Sequence, residues 1–206
     1  MNKRNQLFAA AAFTGLLALA PAFAQNQGGT AASATAGAPR NTQSDASQLS
    51  SQDRKFVMDA AIGGMMEVEM GRMAAQKASS ADVKAFGQRM VTDHTKANDQ
   101  LKQIASQIGV TLPTTLPADK RQEMEKITRL SGAEFDRMYM SHMVKDHKKD
   151  VSEFEKQASK GDDSSVKSFA QQTLPTLREH LTMAQSIAAK VGASEDHAMH
   201  HGKSGS

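Results

Sequence analysis

The feature that most constrains this chain is a helical spacing of apolar residues, which appears in four long segments. Apolar and small side chains recur at alternating steps of three and four, which places them on one face of an α-helix. The pattern covers residues 56–74, 83–108, 135–158 and 166–191. No segment alternates with a period of two for long enough to suggest a strand. The sequence therefore predicts an all-α fold.

Local signals set the expected helix ends. Ser79 and Ser131 each precede an acidic residue by three positions and resemble capping-box starts. Gly109 and Gly192 stand where a left-handed C-terminal cap is needed, and Pro117 suits the first turn of a short helix. The predicted limits are 51–78, 80–108, 132–159 and 163–191 for the long helices, with a short helix over 117–130.

A weak internal repeat indicates how the helices are arranged. The stretch VKAFGQRM at residue 83 returns as VKSFAQQT at residue 166, and IASQIG and IAAKVG keep the same offset of 83. Two antiparallel helical hairpins joined by a longer connection predict a four-helix bundle. If that connection crosses the length of the bundle through the short helix, the second and third long helices run parallel, as in ferritin-like folds.

The N-terminus has the pattern of a secretory signal peptide over residues 1–24. Lys3 and Arg4 precede an apolar run over residues 7–20, and residues 22–24 form an A-x-A cleavage site. The apolar run is too short for a confident membrane span, and no other stretch of the chain is long enough. We expect cleavage near Ala24-Gln25 and a soluble mature protein in the periplasm or outside the cell.

The rest of the chain divides by composition. Residues 25–49 are rich in Gly, Ala, Ser, Thr and Gln, which predicts a disordered linker. Residues 50–192 form the predicted bundle, and residues 193–206 a disordered tail that contains histidines. Loss of Lys3 and Arg4 leaves 23 basic and 22 acidic side chains. That balance argues against nucleic-acid binding, and the absence of cysteine excludes thiol chemistry and Fe–S clusters.

Three stretches carry a resemblance to a known family: MMEVEMGRMAAQKASSADVKAFGQRMVTDHTKANDQL, SGAEFDRMYMSHMVKDH and LPTLREHLTMA. Together they resemble the domain-of-unknown-function 4142 family over roughly residues 52–191. The resemblance implies an exported protein with a ferritin-like bundle. It implies no particular activity.

Four polar residues interrupt the apolar stripes close to the predicted midpoints of the long helices. They are Glu67, His94, His147 and His180. Such residues converge in the centre of a bundle, where imidazole and carboxylate groups suit one divalent transition metal such as Zn, Mn, Fe or Cu. His142 competes with His147 for this position. The same residues would equally make a metal-free polar network that sets the helix register.

A di-iron site of the ferritin type is not predicted. That site needs a Glu three residues before a ligating His, and Val91, Val144 and Leu177 stand at those positions. A site for a single metal is the most that the pattern supports.

The acids beside the histidines form a separate group. Neighbouring residues on a helix point about 100° apart, so Asp93, Asp146 and Glu179 do not face their own histidines. Asp93 and Asp146 are predicted to orient a histidine on an adjacent helix, and Glu179 is predicted to be a surface residue. Methionines in the first and third long helices suggest a second hypothesis, Cu(I) handling, although methionine is also common core filler.

The function predicted from the sequence is that of an exported, non-catalytic envelope or stress-related protein. No nucleophile elbow or phosphate-binding loop supports an enzyme. The alternative is a mononuclear metal-binding protein or metalloenzyme that uses the Glu/His cluster. An interaction module that binds another envelope component, and a homo-oligomer, also remain open.

Overall fold

The computed structural model of this chain describes residues 49–193. Within them lie five α-helices and no strand: α1 (Ser51–Lys77), α2 (Ala81–Gln107), α3 (Ala118–Thr128), α4 (Gly132–Lys160) and α5 (Ser164–Val191). The all-α prediction is confirmed, and the helix limits differ from the predicted ones by one or two residues. The predicted signal peptide, nearly all of the linker and the tail beyond Ala193 lie outside the described residues.

Helices α1 and α2 pack as one hairpin, and α4 and α5 pack as the other. Contacts at the helix ends give the directions. Asp53 at the start of α1 meets Gln157 near the end of α4, so these two helices run antiparallel. Asp136 at the start of α4 receives hydrogen bonds from the residues just before α2, so α2 and α4 run parallel. Parallel α2 and α4 are what a connection that crosses the length of the bundle requires. The ferritin-like arrangement itself stays a prediction.

The starts of α2 and α4 differ from the predicted capping boxes. Ser80 is the N-cap of α2, and neither it nor Ser131 caps its helix through its side chain. Instead, the backbone N–H groups of Ser79 and Ser80 donate to the Asp136 carboxylate at 3.0 and 2.7 Å. A buried carboxylate from the other hairpin has replaced the local cap. The C-terminal predictions fit better, because Gly109 and Gly192 both have positive φ.

A second buried carboxylate accepts hydrogen bonds from the other hairpin at the opposite end of the bundle. Asp53 is fully buried, accepts a hydrogen bond from the Gln157 side chain, and accepts further bonds from the backbone N–H groups of Asp162 and Asp163. Asp163 itself caps α5. Asp136 follows Asp53 by 83 residues, so the internal repeat of the sequence is also a repeat of structure.

The apolar interior is divided into two clusters by a polar layer. One cluster contains Phe86, Phe135 and Tyr139, and the other contains Phe56 and Phe154. Along α2, α4 and α5 a buried histidine separates the two clusters, and on α1 the buried Glu67 lies at the same level. This layer holds the candidate site.

The α1–α2 pair is packed so closely that it depends on two glycines. A Cβ on Gly71 would lie 2.7 Å from the carbonyl oxygen of Gly87, and a Cβ on Gly87 would lie 2.7 Å from that of Gly71. Both distances are below van der Waals contact, so the helix backbones touch where these glycines meet. Within the described residues, no helix combines the length and apolar character needed to cross a bilayer.

Candidate metal centre

Each long helix contributes one side chain to the polar layer. Glu67 comes from α1, His94 from α2, His147 from α4 and His180 from α5, and none of them is more than 5% exposed. One ring nitrogen of each histidine lies within 4.8 Å of one from each of the others. The four residues predicted from the sequence are therefore brought together at the centre of the bundle.

Each histidine ring is held through one nitrogen by an acceptor. His147 Nδ1 lies 3.0 Å from the Met143 carbonyl oxygen, which can only accept, so Nδ1 donates. His180 Nε2 lies 2.8 Å from Asp93 Oδ2. An ionised carboxylate also only accepts, so Nε2 donates and the tautomer of His180 follows.

The remaining ring nitrogens have no partner. His94 Nε2, His147 Nε2 and His180 Nδ1 are buried and form no hydrogen bond with the described residues. A neutral imidazole that donates through one nitrogen carries a lone pair on the other. Buried polar atoms are normally satisfied, and leaving one unpaired costs about 1–3 kcal/mol. A cation shared by these lone pairs would satisfy all three atoms at once.

Glu67 completes the group from the side of α1. Its Oε2 lies 2.8 Å from His94 Nδ1, which leaves His94 Nε2 free when the carboxylate is ionised and Nδ1 donates. Its Oε1 has no hydrogen-bond partner and lies 3.4 Å from His147 Nε2. Because the acceptor on Nδ1 and an ion on Nε2 lie on opposite sides of an imidazole ring, Glu67 is an outer partner of His94 and not a ligand of the same ion.

Burial shifts the protonation of the cluster toward neutral forms. It lowers the pKa of His94 and of His180 to about 4, and it also lowers the pKa of His147. It raises the pKa of Glu67 to about 8, against the opposing effect of His147. The histidines are therefore neutral near pH 7, the state in which imidazole binds a metal.

Asp93 contacts a histidine of the cluster, whereas Glu179 lies at the surface, as the sequence predicts. Asp93 reaches across to His180 and also accepts a hydrogen bond from Arg89 on its own helix. Partial burial opposes its charge, but the bonds from Arg89 and His180 outweigh that effect and lower the pKa of Asp93. Glu179 is exposed and pairs with Arg89 at 3.1 Å. Asp93 thus orients a ring of the cluster, and Glu179 does not touch it.

His142 lies away from the cluster. It is buried against α3, where its Nδ1 is 3.7 Å from Glu123 Oε1. Five positions separate it from His147, which turns the two side chains about 140° apart around the helix. His142 therefore does not share a site with the other three histidines.

Asp146 lies beside Glu67 of α1, and no hydrogen bond to a histidine is seen for it among the described residues. One carboxylate oxygen from each of Glu67, Asp146 and Asp150 lies within 4.8 Å of the others. Asp150 was not predicted as a site residue. The signal that would have found it is the internal repeat, because Asp150 follows Glu67 by 83 residues.

The methionines that suggested copper pack in the apolar interior. Met66, Met70, Met140 and Met143 are all buried in the cluster that contains Phe135 and Tyr139. Their surroundings are those of core filler. The histidines of the tail, His197, His200 and His201, lie outside the described residues.

The fold and the site together define an all-α helical-bundle protein with a buried histidine–carboxylate cluster. The profile of the domain-of-unknown-function family DUF4142 matches residues 38–187. The chain belongs to this family, as the resemblance of its motifs predicted. Comparison with curated proteins gives no match.

Two solved structures share the fold. A fragment of a DUF305 protein from Deinococcus radiodurans is 11% identical, covers 69% of this chain and 98% of its own length, and superposes with a TM-score of 0.60. A DUF305 protein from Streptomyces coelicolor, named as a candidate secreted protein, is 16% identical, covers 73% of this chain and 98% of its own length, and has a TM-score of 0.61. At these identities the likeness shows a common helical fold.

Proposed function

We propose that this protein is an exported helical bundle that holds one divalent transition metal in its core. The ligands are His94 of α2, His147 of α4 and His180 of α5, and Glu67 of α1 holds His94 as an outer partner. The observation that carries the proposal is the set of three ring nitrogens that are buried, unpartnered and directed to one region, while the other nitrogen of each ring is held by an acceptor. Acceptors of this kind are the usual outer partners of metal-bound histidines.

The donor set indicates the class of metal. Three imidazoles suit Zn, Fe, Mn or Cu, and a tetrahedral arrangement favours Zn. Three protein ligands leave the fourth tetrahedral position to water. The proposed role is that of a non-catalytic envelope or stress-related protein whose bundle is stabilised by its metal. The predicted signal peptide supports a periplasmic or secreted location.

The test is the metal content of the mature chain, purified without an affinity tag. We expect one Zn²⁺ per chain by elemental analysis after Zn²⁺ loading and desalting, and a higher unfolding temperature than in the chelator-treated protein. A His197→Ala/His200→Ala/His201→Ala variant controls for the tail and should bind the same amount. Absence of stoichiometric Zn²⁺, Mn²⁺, Fe²⁺ and Cu²⁺ would leave the metal-free polar network as the correct interpretation.

A second variant separates ligand loss from unfolding. In the internal repeat, Leu177 takes the position that corresponds to His94. His94→Leu thus places in the core a side chain that the bundle already accommodates at the equivalent point. We expect this variant to keep its helical content and to lose the bound metal. Full metal retention by folded His94→Leu would contradict the proposal.

A further inference from the structure

A second group of ligand atoms adjoins the histidine cluster and consists only of carboxylates. Glu67 contributes from α1, and Asp146 and Asp150 contribute from consecutive turns of α4, with one oxygen of each within 4.8 Å of the others. Residues four apart lie on the same face of a helix, so both aspartates face α1. Among the described residues, neither Asp146 nor Asp150 forms a salt bridge with Lys or Arg, because the nearby Lys149 pairs with Glu153.

Burial raises the pKa of Asp150 well above its usual value, and the charges of Glu67 and Asp146 raise it further. The charge of Lys149 acts on Asp150 and on Glu67 without a direct ion pair to either of them. Glu67 is 1% exposed, and its Oε1 has no hydrogen-bond partner. Like charges held this close are destabilising unless a proton or a cation lies between them. The unpartnered buried oxygen is the independent indication that something else binds here.

Space for a small ligand exists beside Glu67 and Asp150. A cavity of about 30 Å³ is lined by Glu67, His94, Asp150 and Gly63. A water molecule needs roughly 10–15 Å³ by this measure, so the cavity admits one water or one ion. A Cβ at Gly63 would meet nothing within 4 Å, so no neighbouring side chain fills the space in front of this glycine.

We propose that Glu67, Asp146 and Asp150 form a second, oxygen-only site for a hard divalent cation such as Mn²⁺ or Mg²⁺. Such ions take carboxylate ligands and keep several waters, which fits the partial exposure of Asp146 and Asp150. Glu67 links the two sites, because its Oε2 holds His94 while its Oε1 would bind this second ion. It does not require a metal at the histidines.

The internal repeat supports the pairing of Glu67 with Asp150. These two acids occupy the same position in the two halves of the chain, and they meet where α1 and α4 pack. The histidines have no such counterparts, because Leu177 corresponds to His94 and Ala97 to His180. The repeat therefore relates the two carboxylates to each other, but it does not relate the histidines to one another.

The experiment is a Mn²⁺ titration followed by electron paramagnetic resonance, in which free Mn²⁺ gives the signal and bound Mn²⁺ loses it. The mature chain is used both metal-free and pre-loaded with Zn²⁺, so that Zn²⁺ blocks the histidines. We expect the Zn²⁺-loaded protein to bind one Mn²⁺ and Asp150→Asn to bind it at least about tenfold more weakly. Glu155→Gln removes one charge from an exposed part of the same helix and should bind like the wild type.

The outcomes distinguish this site from the proposed histidine site. Absence of Mn²⁺ binding at millimolar concentration, or equal binding by Asp150→Asn, would overturn the carboxylate site and indicate a shared proton in its place. The Zn²⁺ content of the same samples reports on the histidines. If Zn²⁺ does not bind but Mn²⁺ binds in a manner that depends on Asp150, the histidine proposal fails and the carboxylate site stands.

Discussion

Asp93 is the residue on which the orientation of His180 depends. Its Oδ2 accepts the Nε2–H of His180 at 2.8 Å, and this bond leaves the buried Nδ1 without a proton and free to bind an ion. Loss of an outer partner of this kind typically lowers metal affinity by about 10–100-fold. We expect that loss in Asp93→Ala, measured by competition with a chromophoric Zn²⁺ chelator.

Glu179→Ala is the matched control, because Glu179 shares Arg89 with Asp93 but does not touch the cluster. It should bind Zn²⁺ like the wild type. Long-range ¹H–¹⁵N spectra of the metal-free proteins give an independent readout, since they report which nitrogen of His180 carries the proton. An unchanged tautomer and affinity in Asp93→Ala would contradict the positioning role.

The protonation of Glu67 makes metal binding depend on pH. Burial raises the pKa of Glu67 to about 8, so in the metal-free protein this carboxyl is protonated below that pH and must lose its proton to accept from His94 Nδ1 while Nε2 binds an ion. Burial lowers the pKa of His94 and His180 to about 4, so these rings have no proton to lose near neutrality. Affinity should rise about tenfold per unit from about pH 6 to about pH 8, and then level off.

Zn²⁺ competition titrations across this range test the prediction. Glu67→Gln lacks the ionisable group, so its affinity should be lower and nearly independent of pH. A wild-type protein whose affinity does not change with pH would show that Glu67 does not lose a proton when the metal binds.

Predicting a site residue from the sequence requires knowing which way its side chain points. The sequence gives that direction only where the regular turn of a helix sets it. The apolar stripe located the four residues of the polar layer because its spacing is local. The choice between His142 and His147 depended on how α4 is rotated and on where α3 lies. Asp150 was missed because a partly exposed acid on a charged stretch looks like a solvated surface residue until a neighbouring helix brings Glu67 against it.

At the scale of helices, the contact between α1 and α2 is set by two glycines. Replacing a helical Gly with Ala normally stabilises a helix by about 1 kcal/mol. In Gly87→Ala the new Cβ would lie 2.7 Å from the Gly71 carbonyl oxygen and 2.8 Å from the Ala74 Cβ. We expect a net loss of about 1–3 kcal/mol in the free energy of unfolding, because relief of the clash would force the helices apart.

Gly63→Ala is the matched control on the other helix of the hairpin. Its Cβ would meet nothing within 4 Å, so it should keep the gain of up to about 1 kcal/mol from helix propensity. Urea unfolding of both variants measures the two effects. Stabilisation by Gly87→Ala would mean that the helix backbones do not touch at this point.

Helix limits were well predicted, because periodicity and glycine caps are local. The cap of α2 was not, because the sequence pattern could not show that a carboxylate from the other hairpin would supply the acceptor. Asp136 is 57 residues from Ser79 and 56 from Ser80 along the chain, and only packing brings them together.

At the scale of the whole molecule, two buried carboxylates join the hairpins at opposite ends of the bundle. Asp53 binds the start of α5, and Asp136 binds the start of α2. Removing either acceptor leaves partly buried N–H groups without their partner, so Asp53→Ala and Asp136→Ala should each lower the free energy of unfolding by about 1–3 kcal/mol. Chemical denaturation of the metal-free protein measures this loss.

The two effects should add in the double variant to within about 0.5 kcal/mol, because the sites are far apart and share no partner. Asp99→Ala, on an exposed position of α2, should change stability little. Effects of similar size for Asp99 and Asp53 would indicate that general charge, rather than the bridge between hairpins, determines stability.

The sequence by itself determined the all-α class, the places of the five helices, the family and the residues of the polar layer. These follow from apolar spacing and turn residues, which act within a few positions of the chain. Only the tertiary structure decided that α2 and α4 run parallel, that Asp93 holds His180 and that Asp150 joins Glu67. Those facts depend on how separate helices are rotated and paired, and residues far apart in sequence must meet before their hydrogen bonds and charges can be assigned.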